Sequence, residues 1–190
     1  MKQILKPDTS LVILKKIKYR LNGDNSKLTE ILKIEQNYVC AYTETRITST
    51  FSVDIDHFNP KLKTHNSDSY TNWFVISTKL NRKKNKNWDL FQPILHPSDP
   101  NFEQRIWYNV DSGEYEFNST DNEAANLDKL IGLNRKELVD HRKKHINLIK
   151  YILGTLGNDI VKLKKKLSDD FSNEIQFYRA LETAINGLKF

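Results

Sequence analysis

From Phe51 to Phe58 the chain alternates, with Phe51, Val53 and Ile55 on one side and Ser52, Asp54 and Asp56 on the other. That two-residue period is the signature of a β-strand. Pro60 stops the run, because proline has no N–H to give a ladder. A polar loop containing His65-Asn66-Ser67-Asp68 leads to Trp73-Phe74-Val75-Ile76, which reads as a second short strand. Ser77 or Thr78 is placed to cap a helix that begins near Lys79. The pattern therefore predicts strand, loop, strand and helix in that order, a small ββα unit.

The flanks read less sharply. Residues 11–19 are apolar with a basic face, compatible with helix or strand, and Asn22-Gly23-Asp24-Asn25 makes a turn after them. Leu28, Ile31, Leu32 and Glu35 recur at helical spacing and predict an amphipathic helix over 26–37. Tyr38 to Tyr42 is aromatic and β-prone. Beyond Trp88, Pro93, Pro97 and Pro100 mark a loop, and 105–110 and 114–117 flank Asp111-Ser112-Gly113 as the arms of a hairpin. From Glu123 onward the apolar spacing is helical, interrupted at Gly154 and Gly157-Asn158. There is no repeat and no linker. The expected architecture is one α+β domain: a helical N-terminal segment (1–37), a ββα core (38–90), a loop and hairpin (91–122) and a largely helical C-terminal half (123–190).

Composition adjusts this picture modestly. With 190 residues, nine Phe, eight Tyr and three Trp, the chain can bury a core of its own. Its formal charge of +6 and pI near 9.2 suit a phosphate-bearing partner, although Lys- and Asn-rich proteins in general share that balance. Cys40 is the only cysteine, so no intramolecular disulfide can form and a reducing compartment is expected. The first residues, Met-Lys-Gln-Ile-Leu, lack the apolar stretch of a signal peptide, and nothing approaches the ~20 apolar residues of a membrane span. A cytoplasmic protein without membrane contact is the expectation.

Asp56-His57 at the end of the first strand could be a capped turn with a surface histidine. Fifteen residues after His57, however, Asn72 opens the second strand, and nine later Asn81 falls on the helix, followed by Arg82-Lys83-Lys84. Three segments carry the pattern: Val53-Asp54-Ile55-Asp56-His57-Phe58-Asn59-Pro60-Lys61, Tyr70-Thr71-Asn72-Trp73-Phe74-Val75-Ile76-Ser77, and Asn81-Arg82-Lys83-Lys84. Together they resemble the HNH (ββα-metal) endonuclease motif in residue type, spacing and element order. The resemblance implies a phosphodiester hydrolase acting on nucleic acid, DNA being favoured. It implies that His57 is the general base, that Asp56 and Asn81 hold one Mg²⁺ or Mn²⁺ bridging the phosphate and its leaving 3′ oxygen, and that Asn72 braces the loop that aims His57. Asp54, on the same strand side as Asp56, would orient the histidine, substitute as a ligand, or simply be a solvated carboxylate. Lys79, Arg82, Lys83, Lys84 and Lys86 on the same helix form either a solvated face or, beside a scissile site, a set of phosphate contacts. Lys61 and Lys63 could extend that groove.

Many HNH proteins carry two Cys-x-x-Cys pairs around a structural zinc. Here the first pair reads Cys40-Ala-Tyr-Thr43 and the second would fall at Ser77 and Leu80. One thiolate cannot build a tetrahedral site, so no structural zinc is expected, with Tyr38, Tyr42 and Leu80 packing in its place. His141 and His145 are spaced i, i+4 and could clamp a metal, but no third ligand is near and helix packing is favoured. A weaker resemblance covers His96-Pro97-Ser98-Asp99-Pro100, Asp111-Ser112-Gly113 and Leu130-Ile131-Gly132-Leu133-Asn134-Arg135 on to Leu138 and Arg142. These segments are similar to Septu-type (PtuB-like) and retron-associated HNH nucleases, which implies a role in anti-phage defence beside an ATPase partner.

Overall fold

The computed structural model describes residues 1–172 and 174–190. It is a mixed α and β structure whose strands form two small antiparallel sheets. Strand β1 (Val53–His57) pairs with β2 (Trp73–Ser77) from Val53 opposite Ser77 to His57 opposite Trp73. Helix α3 (Thr78–Asn87) follows without a loop, its first turn capped by Ser77, whose side chain accepts from the Leu80 N–H. The free edge of β2 is closed by a side chain. The Gln36 amide accepts from the Val75 N–H at 2.8 Å and donates to the Val75 carbonyl at 2.9 Å, which satisfies backbone groups that a third strand would otherwise take.

The β1–β2 pair separates two apolar clusters, because its side chains alternate between faces. Phe74 and Ile76 belong to the larger cluster, which also holds Tyr42, Leu80, Trp88 and most C-terminal apolar residues. Trp73 and Val75 belong to a smaller one with Val12, Leu28, Ile31 and Leu32. The smaller cluster is roofed by α1 (Leu11–Leu14) and α2 (Ser26–Glu35). The larger is enclosed by α4 (Phe102–Arg105), the β3–β4 hairpin (Trp107–Tyr108 and Tyr115–Glu116), α5 (Asn122–Ile131), α6 (Lys136–Thr155), α7 (Ile160–Asp170) and α8 (Tyr178–Ala184).

Several expectations shift in detail. The 11–19 segment is helical only over Leu11–Leu14, since Lys16 takes a left-handed φ of 49°. Tyr38–Tyr42 makes a single bridge, Val39 to Arg46, rather than a strand, because Asn37 and Tyr38 both have left-handed φ. Helix α6 runs through Gly154 to Thr155, and Gly132 ends α5 at a φ of +73°, which only glycine adopts without strain. Cys40, Tyr42 and Leu80 are buried in the larger cluster, whereas Tyr38 is half-buried and outside it, its hydroxyl donating to Glu30. Among the described residues no helix is long and apolar enough to cross a membrane.

Candidate active site

On the α3 side of the strand pair two carboxylates stand side by side. Asp54 accepts from the Thr78 hydroxyl at 2.9 Å and from the Asn81 amide at 3.0 Å, and both Asp54 and Asn81 remain partly exposed. Asp56, one rung along, is wholly buried. Its Oδ2 accepts from the Tyr42 hydroxyl at 2.7 Å, and its Oδ1 pairs with Lys84 Nζ at 3.0 Å. Lys84 is 1 % exposed; it also donates to the His57 carbonyl at 2.9 Å and lies 4.7 Å from the centre of the Trp88 ring. Burial pushes the Lys84 pKa down while Asp56 pulls it back up, and burial with the Asp56 charge drives the Tyr42 hydroxyl well above its ordinary range.

This geometry corrects two expectations. Lys84 does not face nucleic acid, because Leu80 and Lys84 are one helical turn apart and both point into the core. Lys79, Arg82, Lys83 and Lys86 are exposed on the remaining faces of α3. Asp56 is not offered to a metal either, since a lysine ammonium already fills the cation position on its carboxylate. Asp54 and Asn81 are the oxygen-bearing pair that fits a hard divalent ion, once the Asn81 amide turns its oxygen toward Asp54; Mg²⁺ typically takes one or two protein ligands and completes its shell with water and phosphate. Among the described residues no three His, Cys, Asp or Glu side chains assemble into a metal cage.

His57 lies on the opposite face, where the strand period puts it along with Val53 and Ile55. It is 4 % exposed, with Nε2 3.0 Å from Asp68 Oδ2 and no aligned hydrogen bond from that nitrogen. Tyr19 packs edge-on against the imidazole, the ring centres 4.5 Å apart. Asn72 secures the arrangement from the start of β2. Its amide donates to Asp68 Oδ1 at 2.8 Å and to the Asn59 carbonyl at 3.2 Å, and it accepts from the Asn59 N–H at 2.8 Å. Burial lowers the His57 pKa, more than the neighbouring Asp68 raises it, and Lys63 pushes the same way as burial. That direction favours the neutral imidazole, which carries a lone pair able to receive a proton.

Asp68, Tyr19 and Tyr42 have no distinguishing signal in the sequence, for each reaches its partner across a loop. The placement of His57 did have one: the alternation that puts Asp54 and Asp56 together puts the next residue on the other side. Of the remaining histidines only His65 comes near, lining the cavity that Tyr19 and Asp68 also line. His65 Nδ1 is 2.7 Å from the Ser67 hydroxyl, His96 packs on Phe58 and Phe74, and His141 and His145 pack on Phe177. Compared with protein-family models, with curated proteins and with solved structures, the chain finds no match.

Proposed function

We propose that this chain is a divalent-metal-dependent endonuclease of the HNH type, hydrolysing phosphodiester bonds of nucleic acid, DNA first among them. The observation that carries the reading is the buried His57 held against Asp68 by Asn72, at the end of the strand whose partner strand runs directly into the helix bearing Asn81. A neutral imidazole beside a carboxylate is a competent general base: it takes a proton from the attacking water, and Asp68 stabilises the imidazolium that results. Asn72 keeps Asp68 and the Asn59 loop in register while this happens. Asp54 and Asn81 would hold the Mg²⁺ or Mn²⁺, which when bound would supply positive charge for the phosphate. Since they lie on the α3 side of β1 and His57 on the other, the reading requires the substrate to contact both sides of that strand. Lys79, Arg82, Lys83 and Lys86 face solvent along α3 and attract the backbone of the polymer.

The test is cleavage of plasmid and single-stranded DNA in Mg²⁺ or Mn²⁺. His57→Ala should lower the rate by roughly 10²–10⁴, the usual worth of a positioned general base, with little loss of binding. Asp54→Asn should be more damaging to metal-dependent cleavage than to stability. A His57→Ala protein that cuts as fast as the parent sinks the proposal.

A second reading is favoured by the saturation of Asp56 by Tyr42 and Lys84: a nucleic-acid-binding or assembly subunit that retains the ββα unit without using it for cleavage. Under that reading the parent protein binds DNA through the α3 cations but shows no metal-dependent cutting. The anti-phage setting and the ATPase partner rest on the resemblance of the later segments alone. Phage challenge of cells expressing the chain, with and without a candidate ATPase, tests them.

A further inference from the structure

On the His57 face a cavity of about 670 Å³ lies between the N-terminal segment and the loop joining β1 to β2. That size is within the ~300–1,000 Å³ common for small-ligand sites. Three features describe what it would accept. Lys16, Lys18 and Lys63 line it, all exposed, and among the described residues none of them is paired with a carboxylate. Tyr19 contributes a half-buried aromatic ring, with Lys63 Nζ 5.5 Å from its centre. Trp73, 4 % exposed, also lines the cavity, and its Nε1–H is buried without a hydrogen-bond partner. A buried donor left unpaired is costly, and a bound molecule whose acceptor meets it as the indole shifts toward the cavity removes that cost.

Cations without counter-charges call for an anion, and an orphaned indole N–H calls for a neutral acceptor. The exposed apolar side chain of Ile13 and the ring of Tyr19 call for a flat, unsaturated body. We infer that this cavity is a binding site for a nucleoside phosphate, its phosphate held by Lys16, Lys18 and Lys63 and its base received by Tyr19 and Trp73. Inorganic phosphate has no body to fill the apolar part of the cavity, and an apolar carboxylate has no acceptor for the indole beyond its charged end. Tyr19 and Asp68 both line the cavity and both touch His57, so an occupant sits beside the imidazole. The same chemistry is offered by a free nucleotide or by one unit of a bound strand.

The inference goes beyond the hydrolase reading, because binding is measured without cleavage. The full chain in EDTA is titrated calorimetrically with AMP, with ATP, with inorganic phosphate and with an eight-nucleotide single strand of DNA. Saturable binding of AMP or ATP identifies a free-nucleotide site, and binding of the strand alone identifies a subsite for the polymer. In either case Lys16→Ala/Lys63→Ala should weaken it at least tenfold, and so should Trp73→Phe, which keeps a ring and removes the donor. Lys16 and Lys63 are exposed, so their double variant keeps the test meaningful should Trp73→Phe fold poorly. No binding of nucleotide or strand, inorganic phosphate binding as tightly as AMP, or unaltered binding by the lysine variant would each overturn the inference. A protein that binds AMP but cuts nothing sinks the hydrolase reading and leaves this one standing.

Discussion

Lys84→Met separates a structural lysine from a phosphate-binding one. The substitution keeps most of the aliphatic stem beside Trp88 but removes the ammonium that pairs with Asp56 at 3.0 Å and donates to the His57 carbonyl at 2.9 Å. Asp56 is then a carboxylate with no exposure and one remaining partner, the Tyr42 hydroxyl. Removing one member of a buried ion pair costs about 3–5 kcal/mol, because the other is left charged in a low-dielectric interior. For a chain of this length each kcal/mol moves Tm by about 2–4 °C, so a fall on the order of 6–20 °C is expected. Adding Asp56→Asn removes the stranded charge while leaving an oxygen for Tyr42, and the double variant should recover to within about 2 kcal/mol of the parent. Urea unfolding followed by circular dichroism gives the stabilities, and DNA affinity at two salt concentrations gives the electrostatic count. The reasoning is refuted if Lys84→Met costs less than about 1 kcal/mol and instead lowers the salt slope by about 0.9, the mark of one lost phosphate contact.

Asn72→Ala should destabilise by about 1–3 kcal/mol in the same urea assay, since the Asn59 N–H and carbonyl and Asp68 Oδ1 each lose a bond at a site only 6 % exposed. A change below about 0.5 kcal/mol would mean that the loop holds itself. His145 carries a pH signature: burial, aided by His141, lowers its pKa from 6.5 to about 4. Between those values the unfolded chain binds a proton that the folded chain does not, so stability is full above pH 6.5 and falls as pH drops toward 4, by at most roughly 3 kcal/mol. His145→Leu should flatten that part of the stability–pH curve relative to the parent. An unchanged slope between pH 4.5 and 6.5 would show that other groups carry the acid sensitivity.

The order of strand, strand and helix was legible in the sequence because it depends on short-range periodicity. The alternation at 51–58, the apolar run at 73–76 and the Ser77 cap act over a few residues, and the structure has each of them in place. The same alternation already implied that His57 and Asp56 face opposite ways; grouping them as adjacent letters of a motif obscured it. The longer hairpin expected at 105–117 shrinks to two residues a side, Trp107–Tyr108 against Tyr115–Glu116, with Arg105 taken into the helical turn Phe102–Arg105.

Which charges are free was decided only by tertiary packing. Lys83-Lys84 reads as two equivalent cations, yet one donates weakly to the Ile131 carbonyl at 3.5 Å near the surface and the other is sealed against Asp56. The difference depends on which stripe of α3 meets the strand pair. Asp68 reaches His57 from a loop, and Tyr19 reaches it from a segment thirty-eight positions earlier. Such pairings are set by how loops close and by what must be kept from water, and neither leaves a period in the chain. The sequence alone thus determined the elements and the candidate residues upon them. The fold determined that Asp56 and Lys84 meet each other inside while Asp54 and Asn81 stay partly exposed and the outer cations of α3 exposed, because a buried charge is tolerated only when another is brought to meet it.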